Sequence, residues 1–242
     1  MLILLTADAE AAMSQTDVKT RLLEAILPHV PFDGWSEAGF AAAVGDAELE
    51  AGVARAACPR GATDLALAFH DAGDSVMLAR LEETDLEAMR YRDRVAAAVR
   101  YRLEAVEDKE LVRRGMTLFA LPQNAPEGAR AVWQTCDAIW TALGDTSRDV
   151  NWYTKRATLA GVYSSTLLFW LGDASEGHAA SWEFLDRRID NVMQIEKLKA
   201  GLRDNRALSG LMAGPLGLLS RIQAPDSGAE RPGMPGRWSG PR

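Results

Sequence analysis

The sequence has few of the features of secreted or membrane-spanning proteins. Its two cysteines, Cys58 and Cys136, are too few for a disulfide framework or a four-cysteine zinc site. We therefore expect reduced thiols in a reducing compartment. The apolar run that opens the chain, MLILL, is too short for a signal peptide. The longest apolar stretch, residues 157–171, is shorter than the roughly 18–20 residues needed to cross a bilayer.

Histidines and catalytic motifs are equally scarce. None of the three histidines, His29, His70 and His178, follows an acidic residue by three positions, so the Glu-x-x-His pairs of helical di-iron sites are absent. The sequence also has no zinc-protease motif, no serine-hydrolase elbow and no phosphate-binding glycine loop. These absences make an enzyme a less favoured interpretation without excluding one. We expect no metal, no cofactor and no catalytic residues. A helical enzyme stays as a disfavoured third alternative.

Patterns typical of β-strands are nearly absent, whereas helical patterns occur along most of the chain. We find no run of β-branched residues alternating with polar ones, and apolar residues recur at three- and four-residue spacing. The pattern predicts an all-α protein of nine or ten helices. The predicted helices cover about residues 17–30, 36–44, 46–57, 61–84, 85–107, 109–120, 127–143, 149–171, 176–198 and 200–222.

Residues 17–84 resemble the helix-turn-helix module of TetR-type regulators, with three short helices followed by a longer one. Such modules bind DNA through lysine and arginine side chains that neutralise phosphates. Residues 1–60, however, contain four basic and nine acidic residues. The predicted recognition helix, residues 46–57, has three acids and one arginine. With a net charge of −7 overall, we expect no nucleic acid partner. A TetR-type transcriptional regulator with a small hydrophobic-ligand pocket is the alternative function.

Five of the seven tryptophans lie between residues 133 and 182. Trp152 differs from the others because it precedes Tyr153 at the predicted start of a helix, with charged neighbours of both signs. Exposed aromatic residues with a polar rim are typical of protein-interaction hot spots. Core packing is the simpler explanation of a tryptophan, and these residues alone leave the two open.

Residues 149–160, DVNWYTKRATLA, closely resemble the signature of a family of ubiquinone-biosynthesis accessory proteins, the coenzyme Q protein nine family. The usual form of that signature begins DFNWYTRR. Residues 182–193 and 121–124 are similar to two further blocks of the family, and the resemblance extends over roughly residues 17–222. It implies a TetR-like fold that binds lipid in place of DNA and forms homodimers through its late helices.

The resemblance also implies a partner and a docking surface. In the family, an aromatic surface patch docks the di-iron hydroxylase that acts on demethoxyubiquinone. We therefore expect a non-enzymatic protein that extracts polyprenylated aromatic intermediates from the membrane and presents them to that hydroxylase. Carried over by position, the patch contains Ile139, Trp140, Asp149, Trp152, Tyr153 and Arg156.

A lipid ligand, whether a ubiquinone intermediate or a phospholipid, needs an apolar pocket between helices. An isoprenoid tail is almost entirely apolar surface, so it leaves the bilayer only for another apolar environment. The helix predicted over residues 149–171 is the expected wall of this pocket. Its candidate lining residues are Leu159, Val162, Leu167, Leu168 and Trp170.

The last predicted helix has an apolar stripe at helical spacing. The stripe contains Leu208, Leu211, Met212, Leu216, Leu219 and Ile222. Residues 181–242 carry ten basic against seven acidic residues, and a basic amphipathic helix suits an anionic membrane surface. The resemblance implies such a membrane-contacting helix, whereas docking on the protein itself or on a dimer mate stays open. We expect a cytoplasmic protein attached peripherally to the inner membrane.

Together these patterns predict the organisation of the chain. Residues 1–16 form a disordered leader, and we hypothesise that Met13 is the true start. Residues 17–65 form the helix-turn-helix-like module, and residues 66–198 the bundle for lipid binding and dimerisation. Residues 199–222 form the membrane-contacting helix. Residues 223–242 form a disordered tail, since the last 18 residues contain four prolines and four glycines.

Overall fold

A computed structural model describes the backbone of residues 14–204 and 224, and the side chains of residues 14–192 and 224. Within these residues all regular structure is helical, which confirms the predicted all-α class. The α-helices are α1 Gln15–Ile26, α2 Val30–Asp33, α3 Glu37–Asp46, α4 Ala51–Ala57, α5 Ala62–Glu82, α6 Tyr91–Glu104, α7 Lys109–Ala120, α8 Ala125–Ala142, α9 Val150–Gly172 and α10 Ala179–Asp204. A single 3-10 turn, Glu176–His178, precedes α10.

Polar side chains at the helix starts explain several boundaries. Ser14 forms a capping box with Asp17 at the start of α1, so Ser14 and the two residues after it are not part of a disordered leader. Ser36 caps α3, accepting a hydrogen bond from the Gly39 N–H. Asp149 caps α9 in the same way. Such caps satisfy backbone donors that the first helical turn leaves unpaired.

Several predicted boundaries are wrong, and the helix expected over residues 17–30 is in fact two helices, α1 and α2. Asp46 does not cap the helix that was expected over residues 46–57, because it ends α3 and its carboxylate lies 2.7 Å from His29 Nε2. The helix expected over residues 85–107 begins only at Tyr91. The break expected near residue 199 is absent, since α10 continues to Asp204.

The chain divides into two compact units. The first comprises the described residues up to Ser75 together with Ala105–Ala131. In it, α1 packs against α3 and α4, and α2 packs against α7. Leu22, Ile26 and Phe40 are buried in its core. Trp35 joins α7 to the module, because its indole N–H donates to the Leu111 carbonyl at 3.1 Å.

The second unit comprises Val76–Glu104 and the described residues from Val132 onward. In it, α10 packs against both α9 and α6. Tyr163, Trp170 and Leu185 are almost fully buried and provide much of the core. The N–H of Ala224 donates to the Arg148 carbonyl at 2.9 Å, just before α9 begins.

Two features are absent from the described residues. No helix among them is long and apolar enough to span a membrane. Within the same residues, no group of three or more histidine, cysteine, aspartate and glutamate side chains could hold a metal ion. The six apolar residues of the predicted membrane-contacting stripe lie outside the described residues.

Candidate functional site

A partly open cleft of about 190 Å³ lies in the second unit, against one face of α9. Its buried lining is apolar, and its exposed lining is polar, with Tyr91, Asn151, Thr154 and Thr158 reaching solvent. An apolar interior with a few polar groups at the entrance is the usual composition of a small-molecule site. The cleft is lined by Tyr91, Arg92, Val95, Trp140, Asn151, Thr154, Lys155, Thr158, Leu159, Val162, Ile189 and Val192.

Two of the five residues that were expected to form the wall of a lipid pocket line this cleft. Leu159 and Val162 are buried and line it. Leu167 is half-buried and Trp170 is buried, but neither lines the cleft. Leu168 is 58% exposed, so it is not a wall of an interior pocket. Helical geometry explains the difference. Leu159 and Val162 are three positions apart and share the face of α9 that lines the cleft, whereas Leu167 and Leu168 lie on other faces.

A cluster of four charged side chains, all buried except that of Lys155, supports the first turns of α9. Arg156, only 2% exposed, donates from Nε to Asp137 at 2.7 Å and from Nη1 to Asp145 at 3.1 Å. Lys155 Nζ lies 2.7 Å from the other oxygen of Asp145 and also donates to Ser147. The two cations and two anions balance. Each buried charge therefore has an opposite partner, without which burial would be costly.

Asp145 is the centre of this cluster, and its electrostatics follow from its surroundings. Burial acts to raise the pKa of its carboxyl group, because burial disfavours the charged form. Hydrogen bonds from Lys155, Ser147 and Arg156 outweigh burial and hold that pKa at about 2. Asp145 therefore remains an anion at neutral pH and holds both cations of α9 in place.

Three aromatic rings lie together beside the charge cluster, and we call them the aromatic triad. They are Trp133 of α8 and Trp152 and Tyr153 of α9. The rings of Trp152 and Tyr153 meet edge to face at 4.7 Å between centroids. Trp133 lies 5.8 Å from the first and 6.3 Å from the second. All three residues are half-buried, and the Arg156 guanidinium stacks over the Trp152 ring at 4.1 Å.

Comparison with known proteins assigns the chain to a family. The COQ9 family model matches residues 125–196. The ubiquinone biosynthesis protein COQ9 of Drosophila melanogaster is 32% identical over 78% of this chain and 60% of its own. COQ9-B of Xenopus laevis is 30% identical over 78% of this chain and 67% of its own. This chain belongs to the COQ9 family. It spans about 60% of the length of the Drosophila and Xenopus tropicalis COQ9 proteins.

A solved structure confirms the predicted TetR-like fold. A TetR transcriptional regulator from Nitrosomonas europaea superposes with a TM-score of 0.59. The match covers 71% of this COQ9-family chain and 95% of the regulator, at 17% sequence identity. At that identity the likeness concerns the fold alone.

The structure separates the six residues expected to form the surface patch of a COQ9-family protein. Trp152 and Tyr153 are half-buried in the aromatic triad, and Asp149 is exposed at the cap of α9. Ile139 and Arg156 are 0% and 2% exposed, so neither belongs to the exposed surface. Trp140 is also buried and lines the cleft instead. Positions on one helix alternate between surface and core, and a signature matched by position does not distinguish them.

Three side chains of the candidate site in this COQ9-family chain were not singled out as site residues by the sequence analysis. Asp137 and Asp145 hold Arg156, and Trp133 completes the aromatic triad. Asp137 and Arg156 are 19 positions apart on different helices, a spacing that carries no local signal. The one available clue was the crowding of tryptophans between residues 133 and 182, which included Trp133.

Proposed function

We propose that this chain acts in ubiquinone biosynthesis as a non-enzymatic accessory protein. It binds a polyprenylated aromatic intermediate and presents it to the di-iron demethoxyubiquinone hydroxylase. Membership of the COQ9 family supports the pathway, since the curated relatives are named ubiquinone biosynthesis proteins. The hydroxylase would hold the iron, and this chain would supply binding and orientation.

One observation carries the proposal: α9 contributes to both the cleft and the aromatic triad. Asn151, Thr154 and Lys155 line the cleft, while Trp152 and Tyr153 belong to the triad. A ligand in the cleft and a protein docked on the triad would therefore lie on adjacent faces of the same two helical turns. Such proximity suits a protein that passes a bound molecule to a partner.

The aromatic triad has the composition of an interaction hot spot. Half-buried tryptophan and tyrosine rings offer large contact areas at low entropic cost, and such residues dominate binding energies at interfaces. Asp149 is exposed nearby and provides a polar rim. We propose that Trp152 and Tyr153 form the centre of the hydroxylase-binding surface.

We also propose a homodimer formed through the late helices. Leu168 and Phe169 of α9 are exposed, and Phe169 stacks on Phe184 of α10 at 4.6 Å between centroids. Together with the half-buried Phe184, these side chains form an apolar patch across two neighbouring helices, and contiguous apolar patches mark sites of protein–protein contact. In a two-fold homodimer, this surface of each subunit would cover the same surface of the other and bury these residues.

The regulator alternative receives little support from the charges of the first unit. α4 occupies the position of a recognition helix and has a single cation, Arg55. Arg55 Nη2 is already 2.6 Å from Glu37 Oε2. DNA binding needs free cations that neutralise phosphates, so we propose that the chain has no nucleic acid partner.

Lipid that co-purifies with the full chain tests the proposal. Mass spectrometry of the extracted lipid should detect a prenylated aromatic compound in the unmodified protein. Thr158→Trp should abolish its recovery, because residue 158 lines the cleft and an indole would fill the space. Ala157→Trp is the matched control, because residue 157 is also exposed but does not line the cleft. Equal recovery from all three proteins, or none from the unmodified chain, would contradict the proposal.

We propose that the protein is cytoplasmic and attaches peripherally to the inner membrane through the stripe between Leu208 and Ile222. Replacing Leu211 and Leu219 with aspartate should strongly reduce flotation with anionic liposomes, because charged groups oppose burial among acyl chains. Leu121→Asp is the control, since Leu121 is an exposed leucine outside the stripe. Undiminished flotation of the double variant would show that the stripe does not contact the membrane.

A further inference from the structure

The polar rim of the cleft includes residues that adjoin the aromatic triad. Asn151 and Thr154 are exposed and line the cleft. Asn151 directly precedes Trp152, and Thr154 directly follows Tyr153. Since consecutive α-carbons are about 3.8 Å apart, a protein surface that contacts the two triad rings of α9 also reaches the entrance of the cleft.

The footprint of a protein partner is large compared with the distances between the triad and the rim. A stable interface buries about 800 Å² on each partner, which corresponds to a circle about 16 Å in radius. Thr158, the last exposed rim residue of α9, is six positions after Trp152. Six residues of helix measure about 9 Å, and a helix with its side chains is about 10–12 Å across. A footprint centred on the triad therefore extends across α9 to the rim.

The cleft is too small to enclose a prenylated ligand by itself. Its volume is about 190 Å³, whereas pockets for drug-sized ligands measure roughly 300–1,000 Å³. A cavity of about 150 Å³ holds a single benzene molecule. The remainder of a ring with several isoprene units therefore extends out of the cleft through its open side. A partner placed over that opening would supply the missing walls of the ligand site.

The chemistry of the rim suits burial under another protein, because its four exposed residues are uncharged. Thr154 Oγ1 donates to the Asn151 carbonyl at 3.3 Å, and the Asn151 side-chain amide donates to Asp149 at 2.9 Å. Neutral groups that already have hydrogen-bond partners cost less to bury than free charges. Tyr91, which α6 contributes to the rim, is 45% exposed, and tyrosine is enriched at protein interfaces.

We propose that the hydroxylase docked on the aromatic triad also covers the entrance of the cleft, so that the two proteins together enclose the ligand. The ligand enters before the partner docks, because the docked partner closes the route from the membrane. While the complex lasts, the ligand leaves only towards the partner. This inference rests on the proposed function, and it adds the order in which the ligand and the hydroxylase bind.

Thiol labelling at the rim tests whether the partner covers the entrance. Thr158→Cys places a thiol on the rim, and Ala174→Cys, just beyond the last turn of α9, is the matched control, because both positions are exposed. The two native cysteines are buried, so a polar maleimide reports the new thiol. With hydroxylase at ten times its dissociation constant, about a tenth of the chain is free, and Thr158→Cys should react about tenfold more slowly. The labelling rate of Ala174→Cys should stay unchanged.

Lipid transfer from the unmodified chain tests the order of binding. The chain with its co-purified lipid is mixed with phosphatidylcholine vesicles, which are then floated away and analysed by mass spectrometry. Hydroxylase at the same excess should slow the arrival of the lipid in the vesicles about tenfold. An unchanged rate in either experiment, with the hydroxylase bound, would overturn this inference and leave the proposed function standing. Absence of co-purified lipid, or of hydroxylase binding, would instead contradict the proposed function and this inference with it.

Discussion

Replacing Arg156 with methionine should lower the free energy of unfolding by about 3–5 kcal/mol, the largest stability loss that we expect from one substitution. The substitution leaves Asp137 without its buried ion-pair partner and removes one of the two cations of Asp145. For a chain of this length, such a loss corresponds to about 6–20 °C in melting temperature. Thermal or denaturant unfolding measured at pH 7 checks the prediction.

Arg187→Met is the matched control for the buried arginine. Arg187 pairs with Glu183 at 3.8 Å on the surface of α10, and exposed pairs of this kind are worth at most about 1 kcal/mol. The two substitutions remove the same charge and insert the same side chain. If they lower the melting temperature equally, the charge cluster does not stabilise the second unit as its geometry indicates.

Trp152→Ala should weaken binding of the di-iron hydroxylase about 30- to 1,000-fold, which corresponds to roughly 2–4 kcal/mol at the centre of an interface. The half-buried ring also contacts Trp133, Tyr153 and Arg156. We therefore expect an additional cost of about 2 kcal/mol in stability, below that of a fully buried tryptophan. Affinity should be measured well below the melting temperature, so that only folded molecules are compared.

Trp182→Ala separates the two effects of the Trp152 substitution. Trp182 is half-buried like Trp152, and it also lies under a guanidinium, that of Arg100 at 5.0 Å. It does not belong to the aromatic triad. We expect a similar loss of stability from Trp182→Ala but unchanged hydroxylase affinity. Equal affinity losses in both variants would show that Trp152 acts through the fold and not through contact with the partner.

The structure changes the interpretation of the signature around Trp152. By sequence, the residues from Asp149 to Arg156 form one aromatic surface patch with a charged rim. In the structure, Arg156 points into the charge cluster, whereas Asp149 is exposed and the rings of Trp152 and Tyr153 are half-buried. The arginine therefore acts as a positioning residue that holds the first turns of α9 and stacks under Trp152. Its replacement should affect partner binding through the position of that ring.

The amino-acid sequence by itself determined the all-helical class, the TetR-like fold, the family and the extent of α9 to within one residue at each end. These features depend on local information: apolar periodicity, capping residues and a contiguous signature. Only the tertiary structure decided which residues of α9 face the cleft, which hold the charge cluster and which reach solvent. Helical periodicity places Leu159 and Val162 on one face of α9, but the helices packed against that face decide whether it is buried. Arg156 is buried because Asp137 and Asp145 approach it from distant positions, and Trp140 lines the cleft because α6, α9 and α10 meet beside it.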